Sequence, residues 1–368
     1  MTSEDARFMA AECGAYERLL AEAIAAVGPT DPADEQRAWA RLDSLTKPPR
    51  SLGRLEELAA RVARIQGTDH PRVERKVIVL AAGDHGVVSE GVAPYPQDVT
   101  WQMVANIAGG GAAVNQIASS VGASVVVYDV GVASDVSGLE GVVVRKVAEG
   151  TSNIAAGPAM TREECAQAVL VGIDAAEDLA GAGCTLIGTG EMGIGNSTSA
   201  AALTAAFTGA APETVCGRGT GLDDAGVTRK VAVVRRALEV NEPSELDPLG
   251  ILAALGGFEI AALAGVVIGA ARAGVSVVTD GFISGAGALA AIRLCPDARD
   301  YLFPSHLSVE PGHAVVLSAL GLDPVLELDM RLGEGTGAAL AFSIIDAACS
   351  VISGMATFAE AGVSGTGE

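Results

Sequence analysis

The chain has 368 residues, 49% of them hydrophobic, which suits one large domain with a substantial core and a smaller companion. Its 24 Lys and Arg stand against 45 Asp and Glu, a net charge of -21 that disfavours a nucleic-acid polymer or an anionic membrane surface as partner. Small anionic ligands stay open, because a few backbone amides and one lysine can reverse the potential locally.

The first segment, "MTSEDARFMAAECGAYERLL", begins acidic and lacks the basic-then-apolar pattern of a signal peptide. The cysteines Cys13, Cys165, Cys184, Cys216, Cys295 and Cys349 form no C-x-x-C pair and read as reduced, buried thiols of a cytoplasmic protein. In "TDPADEQRAWARLDSL", Asp31 is a cap, Pro32 suits a first helical turn, and Ala38, Leu42 and Leu45 recur at helical spacing.

From Lys76 the texture changes to short β-branched runs: "KVIVLAAGDHG", "ASVVVYDVG", "GVVVRK", "CTLIGTGEMG", "VSVVTDGFISG" and "PVLELDMRLGEG". Alanine-rich helical stretches separate most of them, one opening with a capping box from Thr161 to Glu164. Uninterrupted apolar strands alternating with helices predict an α/β fold with a doubly wound, mostly parallel, Rossmann-like sheet. After Gly337 the pattern is helical, so residues 1–70 and 343–368 are expected to form a small helical domain beside a large α/β domain, 71–342. The longest apolar stretch, "IAALAGVVIGAA", is cut at Arg272 and is too short to span a bilayer.

Polar residues recur where the predicted strands end: Asp84 and His85, Asp129, Glu191, Asp280 and Glu334. Ligands of open parallel sheets bind beyond those carboxyl ends, which puts Glu334 in a pocket. "GTGEMGIGNSTSAAAL" carries glycines at 188, 190, 193 and 195 before a helix, so its backbone can approach a phosphate while Asn196, Ser197 and Thr198 add donors. A tight strand-to-helix turn is the plainer reading of the same glycines. The absent Gly-Lys-Ser/Thr disfavours a nucleotide triphosphatase, and Glu191 inside the loop disfavours a dinucleotide, so a monophosphate fits better. "GDHGVVSEGVAPYPQDVT" can wall a flat apolar ring with Ser89 or Gln97 at its edge, while His85 reads as a structural hydrogen-bonding residue. "SHLSVEPGH" has no zinc-ligand spacing, so no metal is expected. Lys230 is a solvated helix lysine by default, and a phosphate partner if its helix faces the glycine loop.

These segments, with "LTKPPRSLGRLE", "GRGTGLDD", "DPLGILAALGGFEIAALAG" and "LDMRLGEGTGAALA", closely resemble the nicotinate-nucleotide dimethylbenzimidazole phosphoribosyltransferase family, which makes the lower-ligand nucleotide of cobalamin. The resemblance implies the two-domain α/β fold, a homodimer, and neither metal nor cofactor. It also implies a reaction, transfer of the phosphoribosyl group of nicotinate mononucleotide to dimethylbenzimidazole or a related base, giving α-ribazole 5'-phosphate and nicotinate. By position, Glu334 resembles the general base. Ser89, Tyr95, Gln97, Met192 and Leu332 resemble the benzimidazole pocket, and Glu191, Gly193, Gly195, Asn196, Lys230 and Ser308 the phosphate and ribose site. One departure is Arg50 in "KPPRSLG", where the family usually has glycine. Two other readings stay open: a phosphate-binding regulatory module without turnover, and a dehydrogenase, whose G-x-G-x-x-G spacing "GEMGIG" misses.

Overall fold

The computed structural model describes residues 14–364. Most of the first segment, Cys13 included, and the end of the last helical stretch lie outside the described residues. Six strands, β1 (Lys76–Gly83), β2 (Ala123–Gly131), β3 (Val142–Val144), β4 (Leu186–Met192), β5 (Ser276–Thr279) and β6 (Leu302–Pro304), form one sheet in the order β3-β2-β1-β4-β5-β6. Every pairing is parallel. Val77 to Gly83 of β1 are buried without alternation, as a strand covered on both faces requires. Chain direction across the sheet reverses between β1 and β4, and the crevice opens beyond their carboxyl ends.

The helix Phe258–Ala273 is apolar almost all round and buried from Phe258 to Ala271, so it forms part of the core. It crosses the helix Arg162–Gly181 at backbone contact. A Cβ on Gly172 would stand 1.8 Å from the Ala262 carbonyl oxygen, and one on Gly265 1.8 Å from that of Val169. The second of these helices starts at the expected capping box of Thr161 and Glu164.

Near the chain's start, the Asp31 carboxylate accepts the Ala33 N–H and Pro32 opens the helix Pro32–Ser44, whose Ala38 and Leu42 are fully buried. That helix and Arg54–Gln66 pack together and against Thr336–Gly354. Leu45 bridges to Thr357, and Leu42, Val62 and Ile345 join the same continuous apolar core as the strands. Among the described residues, Thr336–Gly354 is long and apolar enough to cross a membrane, with a mean hydropathy of 1.6. Half of that stretch is buried inside the protein. Arg50 takes φ 60°, a conformation natural to glycine, and its guanidinium lies 3.7 Å from the Trp39 ring centroid and 3.0 Å from Asp43.

One predicted strand is corrected. "PVLELDM" makes a single bridge, His306 to Leu326, because Pro324 has no N–H to give a ladder and Asp329 turns the chain at φ 53°. The outermost strand is instead the three-residue β6.

Candidate active site

Glu334 consequently stands at a helix start and not at a strand end. Gly333, Glu334 and Gly335 have φ of 84°, 62° and 88°, three left-handed residues in succession leading into Thr336–Gly354. The turn presses on β4: a Cβ on Gly190 would lie 2.6 Å from the Glu334 carbonyl oxygen. The Glu334 side chain is buried, and its Oε2 has no hydrogen-bond partner among the described residues. Burial raises its pKa, and the nearby Asp280 carboxylate adds to the rise.

Asp280 follows β5 and is itself buried. Its Oδ2 accepts the Gly335 N–H at 3.0 Å, and its Oδ1 accepts those of Gly337 at 2.7 Å and Ala338 at 3.2 Å. His306, after β6, brings Nδ1 to 3.9 Å from Asp280 Oδ1, while burial lowers the His306 pKa.

Glu191 ends β4 with its Oε2 hydrogen-bonded to the Asn196 side chain. Burial pushes its pKa up to about 8, with Asp280 contributing next. Its Oε1 reaches Gly333, and Glu191, Gly333, Leu332, Ser308, Glu310 and Arg331 line one narrow crevice of about 30 Å³. Gly193 and Gly195 form the turn after β4. It packs on the segment following β1: a Cβ on Gly195 would meet Val88 at 2.7 Å, and Ile194 N–H donates to Thr100.

Lys230 departs from the default expectation. It is only 1% exposed, and its Nζ donates to Ser197 Oγ at 3.1 Å and to the Gly217 carbonyl at 3.2 Å. Ser197 belongs to the helix opened by the glycine turn, so the lysine does face that loop. Burial lowers its pKa, opposed by Glu310. Glu310 and Arg331 are shared by the Ser308 crevice and an adjoining cavity at Gly217.

The expected ring-binding residues are less enclosed. Ser89 Oγ donates to the Gly86 carbonyl, Met192 and Gln97 are half-buried, and Tyr95 and Leu332 are 50% and 56% exposed. Ser89, Tyr95 and Gln97 line neither of these two cavities. His85 is fully buried between Glu259, 2.6 Å from Nε2, and Ser199, 3.0 Å from Nδ1, as a structural histidine would be. In "SHLSVEPGH", His313 Nδ1 accepts the Ser308 N–H and burial pushes its pKa down to about 3, so the imidazole is spent on loop structure. Among the described residues no His, Cys, Asp and Glu cluster fit for a metal occurs. Sequence reasoning gave no site role to Asp280, Glu310 or Arg331, although Asp280 carried the signal of a charge ending an apolar strand.

Buried carboxylates, a buried lysine and glycine turns gathered at a switch point define a doubly wound α/β enzyme for a small anionic substrate. The phosphoribosyltransferase family DBI_PRT matches residues 27–363, and the chain belongs to that family. It is 51% identical over 346 residues to the nicotinate-nucleotide--dimethylbenzimidazole phosphoribosyltransferase of Desulforudis audaxviator, covering 94% of this chain and 98% of that one. The protein of the same name from Chloroflexus aggregans is also 51% identical, with the same coverage. The crystal structure of CobT from Thermus thermophilus superposes with a TM-score of 0.87 at 51% identity, over 90% of this chain and 99% of that one.

Proposed function

We propose that the protein transfers the phosphoribosyl group of nicotinate mononucleotide to dimethylbenzimidazole or a related base, releasing nicotinate and α-ribazole 5'-phosphate for cobalamin synthesis. The observation that carries this reading is the buried Glu334 carboxylate with an oxygen left unpartnered, in a chain matched nearly end to end by relatives of that name. The lone pair of one azole nitrogen attacks the anomeric carbon. The glycosidic bond breaks with its electron pair returning to the pyridinium nitrogen, and the proton on the other azole nitrogen passes to Glu334. A cationic leaving group departs as a neutral ring, so the reaction asks the protein for one base and a held geometry. General-base catalysis supplies ~10²–10⁴-fold, and holding ring and ribose in line supplies most of the rest. The raised Glu334 pKa makes it the stronger acceptor.

In this reading Lys230, Ser308, Gly193, Gly195 and Asn196 hold phosphate and ribose. Glu191 orients the ribose, and Ser89, Tyr95, Gln97, Met192 and Leu332 wall the azole. The exposed Tyr95 and Leu332 fit a homodimer that covers the ring site. The packing of Pro32–Ser44 and Arg54–Gln66 on Thr336–Gly354 supports a small helical domain of residues 1–70 and 343–368 beside 71–342. No cofactor, nucleic acid or membrane takes part, and the cytoplasm is the expected compartment.

Incubation of the protein with nicotinate mononucleotide and dimethylbenzimidazole tests the proposal. Nicotinate should appear with one equivalent of α-nucleotide, its configuration read from ribose proton couplings by NMR. A β-product, or a ribosyl-enzyme adduct trapped without the base, would mean that Glu191 is a nucleophile in two displacements. No release of nicotinate would leave a binding module.

A further inference from the structure

We propose that Asp280 is the positioning residue of Glu334: it anchors the left-handed turn that aims the Glu334 carboxylate. This deepens, and rests on, the reading of Glu334 as general base.

A glutamate at φ 62° is in a conformation its side chain disfavours, and two glycines at 84° and 88° leave the surrounding backbone free to relax elsewhere. Something must hold the turn. The helix it opens, Thr336–Gly354, has Gly335 at its N-cap and therefore no capping side chain of its own. The cap comes instead from the end of β5. The Asp280 carboxylate collects the Gly335, Gly337 and Ala338 N–H groups, the amides that a helix start leaves open.

The neighbours admit no substitute. A Cβ on Gly337 would lie 2.0 Å from His306 Nδ1 and 2.9 Å from Asp280 Oδ1, so this backbone sits directly on the anchor. Asp280, at 1% exposure, lacks access to water that could replace its bonds. Ser305 Oγ donates to the Asp280 carbonyl and lies 2.9 Å from His306 Nδ1, which orients the ring beside the carboxylate. The result is a rigid link from the sheet to the foot of the helix, where Glu334, set between Gly333 and Gly335, is the one residue of the turn that carries a side chain. The Asp280 carboxylate is committed to the backbone of the turn.

The test is a double-mutant cycle of D280N and E334Q, scored by steady-state kinetics. Asparagine matches aspartate in size but offers one acceptor and an amide that opposes the incoming N–H groups. D280N should lower kcat by at least ~30-fold with both KM values within about threefold, and adding it to E334Q should cost less than about threefold more. Hydrogen exchange should quicken in D280N in the peptide covering 331–341 and not elsewhere. If D280N does not fold, D280S, which keeps one acceptor, takes its position in the cycle with the same expectations.

A wild-type-like kcat in D280N beside a crippled E334Q overturns the Asp280 assignment alone. So do multiplicative losses in the double variant, which would mean that Asp280 acts independently of Glu334. A wild-type-like kcat in E334Q overturns the general-base reading itself.

Discussion

Glu191 and Glu334 are both buried, and burial with the Asp280 carboxylate nearby raises both pKa values. With its pKa pushed up to about 8 by burial, against ~4.3 in an unfolded chain, Glu191 stays protonated in the folded protein across neutral pH. The unfolded state then binds fewer protons than the native state between those limits, so this group's contribution to stability falls as pH rises through the window. We expect the melting temperature of the wild type to drop from pH 5 to pH 8 by more than that of Glu191→Gln, in which nothing titrates at that position. Parallel melting curves for the two proteins would mean that Glu191 ionises normally. A neutral Glu191 is also a hydrogen-bond donor, which suits a ribose hydroxyl better than nucleophilic attack. None of this was legible in the sequence, where Glu191 and Glu334 are alike as charges beside glycines. Lys230 shows the same limit: helical spacing located it, but only the fold could turn it under Gly217 and away from water.

The elements were more legible than the residues. Long apolar runs in the sequence correspond to β1, β2, β4 and β5, and the charges that follow or close them stand at the carboxyl ends of those strands. β6 escaped because "LFP" is three residues between a 3-10 turn and an irregular loop, too short for any periodicity. "PVLELDM" misled for the opposite reason, having strand composition but a proline at its head and a left-handed Asp329 inside it. Glu334 thus reads as a strand end in the sequence, whereas in the fold it stands at the foot of a helix. Helix packing obeys constraints that composition hides. The Gly172 and Gly265 contacts bring two helices to backbone distance, so Gly172→Ala must push Phe258–Ala273 off Arg162–Gly181. Overpacking of this kind costs ~1–3 kcal/mol, and a melting temperature lowered by ~1–4 °C is expected for a chain of this length. An unchanged melting temperature would show that the two helices slide apart freely.

For the molecule as a whole, the fold class and the reaction were readable because the motifs are dense and run in family order, whereas the assembly of the site was not. Its parts come from β1, β4, β5, the loop after β6 and the foot of Thr336–Gly354, and only the assembled sheet brings them together. The chain around that site carries a net charge of -21, while Lys230, the cation beside the glycine turn, is buried. An approaching nicotinate mononucleotide, itself an anion, meets repulsion from the molecule at long range and attraction only at the mouth of the glycine turn. Capture is therefore slowed by the far field and secured by the near one. Screening acts mainly on the first, since the Debye length shrinks to ~8 Å at physiological ionic strength while the buried ammonium is shielded from mobile ions. Raising salt from ~20 to ~150 mM should increase kcat/KM for nicotinate mononucleotide and leave that for the uncharged azole unchanged. A steady fall for the nucleotide would mean that the positive potential of the site reaches into solution. The acidic surface thus makes ionic strength an accelerator of substrate arrival, the reverse of the steering usual for enzymes of phosphorylated substrates.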